Sequence, residues 1–276
     1  MKPAEFLYTH SLFRREEFAR AMRLRGPRAP ATLTKQLQNW CREGRLHAVR
    51  RGVYLRLGSG QGPAQVIVDP FALASRLAPD AVLAYHTALE AHGRAQSVFE
   101  RLYFATWTKA GPIRFQGHHY VPVRPRAALA RFGEANGARP PRDAFVVRLD
   151  RAGLEVSVAS LERTLVDVLD RPDLAGGMEE VFRSCGSIVA LDFSAMHRYL
   201  LLVSRPLLVA RVGFLLESNA RRWLTPGKLL VALEAQRPRS PVYLERRQPG
   251  RLVQRWNLIV PPALPPQEDA ADGDAP

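Results

Sequence analysis

Apolar side chains near the start of the chain recur every three or four positions in two segments, which predicts two amphipathic helices. The segments are residues 11–25 and 32–43. The stretch 26–31 separates them, since its prolines disfavour helix at and before their own positions. Ser11 is suited to cap the first helix, and Gly44 follows the second, where a left-handed residue commonly ends a helix. The expected buried stripes are Phe13, Phe18, Ala21 and Met22 in the first helix, and Leu33, Leu37, Trp40 and Cys41 in the second.

Two short runs of strand-favouring residues follow these helices. Residues 46–49 and 53–57 predict the two strands of a hairpin, joined across Arg50-Arg51-Gly52. The order helix, turn, helix, basic hairpin is that of a winged helix-turn-helix, so we expect residues 1–60 to form such a domain. The glycine- and glutamine-containing stretch 58–68 predicts a linker or a loop.

The remaining pattern predicts a larger C-terminal domain over residues 69–260. The expected helices are 69–78, 86–93, 160–169, 177–185, 192–203, 206–219 and a shorter one after Thr225-Pro226. The expected strands are 101–106, 113–122, 143–149 and 153–158, with a closing hairpin over 242–260 around Pro249-Gly250. The fold class is therefore α+β (mixed), an N-terminal winged helix-turn-helix plus a larger C-terminal domain with a small β-sheet and a helical bundle. Residues 261–276 predict a disordered tail.

The positive charge of the chain indicates what kind of partner it binds. The chain has a net charge of +14. Residues 1–60 contain 13 Lys and Arg against 4 Asp and Glu, and residues 217–256 contain 9 against 3. Such a concentration indicates a polyanionic partner, above all for the N-terminal domain. The segment 217–256 is either a second nucleic-acid contact or a solvated face.

The polar face of the helix 32–43 carries residue types that read DNA. In a helix-turn-helix the second helix enters the major groove, where lysine suits guanine, glutamine and asparagine suit adenine, and a threonine methyl suits thymine. Arg42 is expected on a phosphate, and Arg50 and Arg51 on a phosphate or in the minor groove. The expected base contacts are Thr32, Thr34, Lys35, Gln38 and Asn39. The same face could instead bind a protein or an RNA.

Candidates for catalysis or metal binding are weaker. Two distant cysteines, Cys41 and Cys185, indicate neither a disulfide framework nor a zinc site. Neither the His86–His92 spacing nor the adjacent pair His118-His119 aligns two imidazoles on one face. We therefore expect no metal and no cofactor.

Acidic residues leave a metal-dependent nuclease as a third alternative. Asp143, Asp150 and Glu155 lie on consecutive predicted strands, but Ser157 stands where such a site normally has its lysine. In the helix after Ser160, Glu162 and Asp167 are better explained by a polar contact with Arg163 than by catalysis. We expect a protein that is not an enzyme.

Four segments resemble, in order, motifs of the AbiEi-type antitoxins of type IV toxin–antitoxin (abortive-infection) systems. The segment RLHAVRRGVY is similar to that family's wing, and AYHTALEAHG is similar to the helix that follows the wing. The segment LYFAT is similar to the strand after that helix, and VASLERTLVD is similar to a later segment. They are Arg45–Tyr54, Ala84–Gly93, Leu102–Thr106 and Val158–Asp167, and the resemblance spans about residues 11–260.

The resemblance implies a repressor that binds inverted repeats in its own promoter through the winged helix. It also implies that the C-terminal domain antagonises a cognate nucleotidyltransferase toxin without forming a tight complex with it. Inverted repeats suit a protein that binds as a dimer or cooperatively. No apolar run approaches the roughly 20 residues that cross a bilayer, and no signal segment is evident, so we expect a cytoplasmic protein with no membrane partner.

Overall fold

A computed structural model describes residues 2–22, 29–135, 144–151, 153–245, 248–262 and 264. The expected fold class is confirmed, because the chain is α+β with a winged helix at its start and sheets and a helical region after it. By its internal contacts the chain divides into two compact units. The first contains Met1–Val82, Glu100–Arg124 and Arg148–Ser157, and the second contains Leu83–Phe99, Pro125–Val147 and Val158–Pro276. This division differs from the expected domains 1–60 and 69–260.

The winged helix begins the first unit. Its elements are α1 (Pro3–Thr9), β1 (Leu12–Arg14), α2 (Arg15–Ala21), α3 (Ala29–Arg42), β2 (Leu46–Arg50) and β3 (Val53–Arg56). The three strands form an antiparallel sheet in the order β1-β3-β2. The helices pack around one apolar cluster, whose buried members are Phe6, Leu7, Phe13, Phe18, Leu33, Leu37, Trp40 and Leu46.

The expected helix 11–25 is wrong over its first residues. Leu12 and Phe13 are buried in β1, where their backbones pair with Leu55 and Tyr54 of β3. The Glu17 carboxylate accepts the Arg14 backbone N–H at 2.6 Å, so α2 begins after Arg14 and not after Ser11. Residues 23–25 of the expected helix lie outside the described residues. The helix α1 that precedes β1 was not predicted.

The helix α3 is longer at its start than the sequence predicts. α3 begins at Ala29 and not near Thr32, which places Pro30 in its first turn, where a proline is tolerated. Residues 26–28 of the expected break lie outside the described residues. At the other end, Gly44 has a φ of +68°, as expected for the residue after a helix.

A helix and a β-hairpin belong to the same unit. Asp69 caps α4 (Pro70–Arg76) as expected, by accepting the Ala72 N–H at 2.8 Å. β5 (Arg101–Ala105) is followed by β6 (Ile113–Phe115) and β7 (His118–Val123). The single expected strand 113–122 is therefore wrong: Gln116 and Gly117 both have positive φ and turn the chain tightly between two antiparallel strands.

The expected linker 58–68 contains a short 3₁₀ helix, Pro63–Gln65. The Gln116 amide donates hydrogen bonds of 2.7 Å to the carbonyl oxygens of Pro63 and Val66. The hairpin turn therefore holds this segment in place.

The largest sheet has six strands in the order β6-β7-β5-β4-β9-β8. Its further strands are β4 (Val82–Leu83), β8 (Val146–Arg151) and β9 (Leu154–Ala159). β5 pairs with β7, and β4 pairs with β9, in parallel. Of the expected strand 143–149, residue 143 lies outside the described residues.

The second unit is mainly helical. Its helices are α5 (His86–Ala91), α6 (Ala127–Ala135), α7 (Leu161–Asp170), α8 (Met178–Cys185), α9 (Phe193–Val203), α10 (Pro206–Ser218), α11 (Ala220–Trp223) and α12 (Gly227–Glu234). The Ser160 side chain caps α7, as expected. Apart from α6 and α11, each of these helices was predicted to within about three residues at each end.

The chain closes with β10 (Val242–Tyr243), β11 (Arg251–Val253) and β12 (Leu258–Val260), in the order β10-β12-β11. The expected hairpin around Pro249-Gly250 is wrong, because β10 pairs in parallel with β12. The antiparallel hairpin is β11–β12, which turns at Gln254–Trp256 and Asn257. Most of the expected tail 261–276 lies outside the described residues.

Gly213 in α10 provides a test of this packing. Replacing a mid-helix glycine with alanine normally stabilises a helix by about 1 kcal/mol. At Gly213, however, an added Cβ would overlap the fully buried ring of Trp256. We therefore expect Gly213→Ala to lower the free energy of unfolding by about 1–3 kcal/mol in urea denaturation. Gly227→Ala is the control, since an added Cβ there meets nothing within 4 Å. A Gly213→Ala variant as stable as the wild type would contradict the packing.

Candidate nucleic-acid interface

The helix α3 has one buried face and one solvent-facing face. Leu33, Leu37 and Trp40 are at most 4% exposed and pack in the winged-helix core, where the Trp40 ring lies 5.3 Å from that of Phe18. Cys41, expected in the buried stripe, is half-buried, and burial raises the pKa of its thiol. The buried stripe anchors the helix, so its opposite face is presented to solvent.

The expected base-contact residues divide into two groups on that face. Thr32, Lys35 and Gln38 are exposed and lie at successive intervals of three residues, which places them along one stripe of the helix. Thr34 and Asn39 are half-buried. The structure therefore brings three of the five candidates together as an accessible row.

Asn39 and Arg42 are paired with each other. Arg42 is exposed, and its Nη2 donates a hydrogen bond of 2.8 Å to the Asn39 Oδ1. Reading adenine requires both the oxygen and the nitrogen of an asparagine amide. The bond from Arg42 uses one of the two lone pairs of the Asn39 oxygen and so restricts how the amide can approach a base, whereas Arg42 keeps further N–H groups for a phosphate.

The wing is short, and its two arginines differ in exposure. The turn Arg51-Gly52 joins β2 and β3, with Gly52 at a φ of +85°, and Arg51 is exposed. Arg50, paired with Val53, is half-buried, and its Nη1 is buried without a hydrogen bond to any described residue. The structure thus places Arg51 at the tip and Arg50 behind it.

Two further arginines lie beside these candidates. The Arg15 backbone N–H donates to the Gly52 carbonyl at 2.9 Å, which places the start of α2 against the wing turn. The Arg45 guanidinium lies 5.4 Å from the Trp40 ring centroid, just after α3. Neither was predicted as a site residue. The pairing of β1 with β3 puts Arg15 there, and the expected helix 11–25 obscured that pairing.

The side of the wing is supported by the hairpin β6–β7. The His47 ring in β2 stacks on Phe115 in β6, with ring centroids 5.9 Å apart. This contact is within the first unit.

The other clusters considered for chemistry have internal partners. Glu155 is exposed and pairs with Arg148 at 3.3 Å, and Asp150 accepts the Gly153 N–H. Asp143 lies outside the described residues. Among the described residues, no three His, Cys, Asp or Glu side chains come together as metal ligands. His86 is fully buried, with its ring nitrogens 2.7 Å from Glu90 and 3.4 Å from Glu180.

A buried polar network surrounds α7. The Asp167 carboxylate accepts hydrogen bonds from Arg163 Nε at 3.3 Å and from the Tyr199 hydroxyl at 2.7 Å. Burial, followed by the charge of Asp167, raises the pKa of Tyr85 to about 12. Glu162 accepts the Asp192 backbone N–H. The expectation that this segment makes structural polar contacts is confirmed.

Comparison with known proteins supports the fold. No protein-family model matches the chain, and no curated protein matches it. A solved structure described as the "Crystal structure of RV2827C protein from Mycobacterium tuberculosis" is similar, with a TM-score of 0.55 and 16% sequence identity. The match covers 93% of this chain and 89% of that one. None of the helices among the described residues is both long and apolar enough to span a bilayer.

Proposed function

We propose that this protein is a sequence-specific DNA-binding repressor that acts in the cytoplasm by binding and not by catalysis. The observation that carries the proposal is the row of Thr32, Lys35 and Gln38 on the solvent-facing side of α3. Residue types that hydrogen-bond to base edges occupy the helix that a helix-turn-helix inserts into the major groove. The buried stripe on the opposite side fixes their direction.

The charge around this row supports DNA over a neutral partner. Residues 1–60 contain 13 Lys and Arg against 4 Asp and Glu. Arg42 is exposed at the end of the helix that carries this row, and Arg51 is exposed at the wing tip. Cations in those places suit phosphates, which position a protein on the duplex while base contacts select the sequence.

The particular operator and partner in this proposal come from the resemblance to AbiEi-type antitoxins. The protein would bind inverted repeats in its own promoter, as a dimer or cooperatively. It would also counteract a nucleotidyltransferase toxin without forming a tight complex with it. Coexpression with a nucleotidyltransferase encoded beside its gene tests this role, since the proposal expects restored growth and unrestored growth contradicts it.

The Lys35→Ala variant tests DNA reading directly. We expect its affinity for the protein's own promoter to fall about tenfold, because one base contact contributes about 1–3 kcal/mol of discrimination. Its affinity for random DNA of the same length should change much less. Fluorescence anisotropy with both DNAs at one moderate salt concentration measures the ratio.

Lys109→Ala is the matched control, since Lys109 is an exposed lysine between β5 and β6 and lies outside the basic segment 217–256. Its promoter affinity should equal that of the wild type. A wild-type protein with no preference for its promoter over random DNA would overturn the repressor proposal. Unchanged promoter binding by Lys35→Ala would favour a winged helix that docks a protein or an RNA.

A further inference from the structure

The second unit contains a cavity of about 950 Å³ that the proposed DNA binding does not use. It lies between the end of α7, the starts of α8 and α10, and the strand β10. Its volume is within the range of small-molecule sites. The residues that matter for its chemistry are Asp170, Arg171, Arg205, Arg211, Tyr243 and Glu245.

Arg211 is the unusual feature of this cavity. It is 9% exposed, and its Nη1 and Nη2 donate hydrogen bonds to the carbonyl oxygens of Leu169 and Leu244 at 2.6 and 2.5 Å. Its Nε is buried and makes no hydrogen bond to any described residue. Burial lowers the pKa of Arg211, and the nearby charge of Arg205 lowers it further, while Glu245 acts in the opposite direction. A buried cation is costly unless it is paired with an anion.

The carboxylates around the cavity have other partners. Asp173 accepts two hydrogen bonds from Arg171, at 2.9 and 2.8 Å. Asp170 accepts from Arg126 and from Arg205. Among the described residues, no carboxylate forms a hydrogen bond or an ion pair with Arg211. Arg211 therefore has carbonyl groups and no carboxylate as its hydrogen-bond partners among the described residues, although Glu245 lies close enough to act on its pKa.

Two helix starts add to this positive field. Gly177 and Leu207, at the starts of α8 and α10, both line the cavity, and a helix N-terminus favours negative charge. Glu245 already uses one of these positions, since its carboxylate accepts the Met178 backbone N–H at 3.1 Å. The start of α8 therefore already binds an anionic group, the carboxylate of Glu245.

We propose that the cavity binds a phosphate-bearing small molecule of nucleotide size, with Arg205 and Arg211 on phosphate oxygens and Tyr243 beside its apolar part. A guanidinium has five N–H donors, so Arg205 keeps donors for phosphate oxygens beside its bond to Asp170, and Arg211 keeps donors beside its two bonds to carbonyl oxygens. Arg205, with a side chain 55% exposed, is placed at the mouth, whereas Arg211 lies deeper. Tyr243 is half-exposed and offers a ring for stacking.

Isothermal titration calorimetry with the full chain tests this site. The probes are ATP and inorganic tripolyphosphate, which share the phosphate chemistry and differ in the base and sugar. We expect Arg205→Gln to weaken ATP binding about tenfold, because a hydrogen bond to a charged group is lost. Arg211→Lys keeps the charge but loses the fork, so we expect a similar loss in a protein whose thermal unfolding is checked separately. Arg222→Gln, an exposed arginine of α11, is the control and should bind as the wild type does.

Comparing the two probes distinguishes a nucleotide ligand from an inorganic phosphate ligand. Tighter binding of ATP than of tripolyphosphate supports a nucleotide that uses Tyr243, and equal binding supports the phosphate site with an inorganic ligand. No binding of either probe at millimolar concentration overturns the proposal, as does ATP binding that Arg205→Gln and Arg211→Lys leave unchanged. None of these outcomes depends on whether the winged helix binds DNA.

Discussion

Replacing Asp167 with leucine is expected to lower the free energy of unfolding by about 3–5 kcal/mol, the largest effect predicted for this chain. Asp167 is 4% exposed and holds Arg163, itself 3% exposed, through a hydrogen bond of 3.3 Å. Burial acts to lower the pKa of Arg163, but Tyr199 and Asp167 together raise it. Without the carboxylate, Arg163 would be a buried cation that has lost its closest anion, and the Tyr199 hydroxyl would lose its acceptor.

A double-mutant cycle distinguishes the lost pairing from lost packing. Arg163→Met in the Asp167→Leu background removes the orphaned charge, so the double variant should recover most of the stability. Urea denaturation of the four proteins measures the coupling. The control is Glu179→Gln, which breaks an ion pair of the same i, i+4 spacing with Arg183 on an exposed surface. Its cost should stay below about 0.5 kcal/mol. Equal stability of Asp167→Leu and Glu179→Gln would contradict a buried network.

Promoter binding is expected to weaken about 40-fold for each bound protomer when salt rises from 50 to 200 mM, if three arginines of that protomer each neutralise one phosphate. This corresponds to a slope of about −2.7 for the logarithm of affinity against the logarithm of salt. The three are Arg42, Arg50 and Arg51. Replacing Arg51, which is exposed at the tip, with alanine should reduce the slope by about 1. A smaller change for Arg50→Ala would mean that Arg50, half-buried behind the tip, does not reach a phosphate, and the wild-type slope would then be nearer about −1.8.

Fluorescence anisotropy across a salt series measures these slopes on promoter DNA. Arg198→Ala is the control, since this exposed arginine of α9 belongs to the second unit and lies outside the basic segment 217–256. Its slope should match that of the wild type. A wild-type slope near zero would contradict phosphate contacts altogether. Equal slopes for the wild type and Arg51→Ala would show that the wing tip does not contact a phosphate.

The exposed row of Thr32, Lys35 and Gln38 could be predicted from the sequence because it depends on local helix geometry. The intervals between Leu33, Leu37 and Trp40 place them on one face of any α-helix, whatever surrounds it. Once that face is assigned to the core, Lys35 and Gln38 must point away from it. The start of the helix was less certain, since Pro30 is as compatible with a first turn as with a break.

Contacts between distant segments produced the errors. The sequence predicts Phe13 in a helical stripe with Phe18, Ala21 and Met22. In the structure, Leu12 and Phe13 pair instead with Leu55 and Tyr54, about forty residues later. Backbone hydrogen bonds between distant strands do not require a side-chain pattern, and a strand as short as β1 shows no periodicity of its own. The parallel pairing of β10 with β12 was missed for the same reason, because Pro249-Gly250 is an equally good signal for a simple hairpin.

The amino-acid sequence by itself determined the α+β class, the winged helix and the concentration of charge at its start, since periodicity and composition are properties of short stretches. Only the tertiary structure determined which arginines are exposed to solvent and which are buried. Arg211 belongs to a helix that is mostly apolar, and its guanidinium is held beside a cavity by carbonyl groups of Leu169 and Leu244, which come from other segments of the chain. Arg50 and Arg51 are adjacent in the chain, yet one is half-buried and the other is exposed. Burial depends on what packs against a side chain, and distant parts of the chain supply those partners.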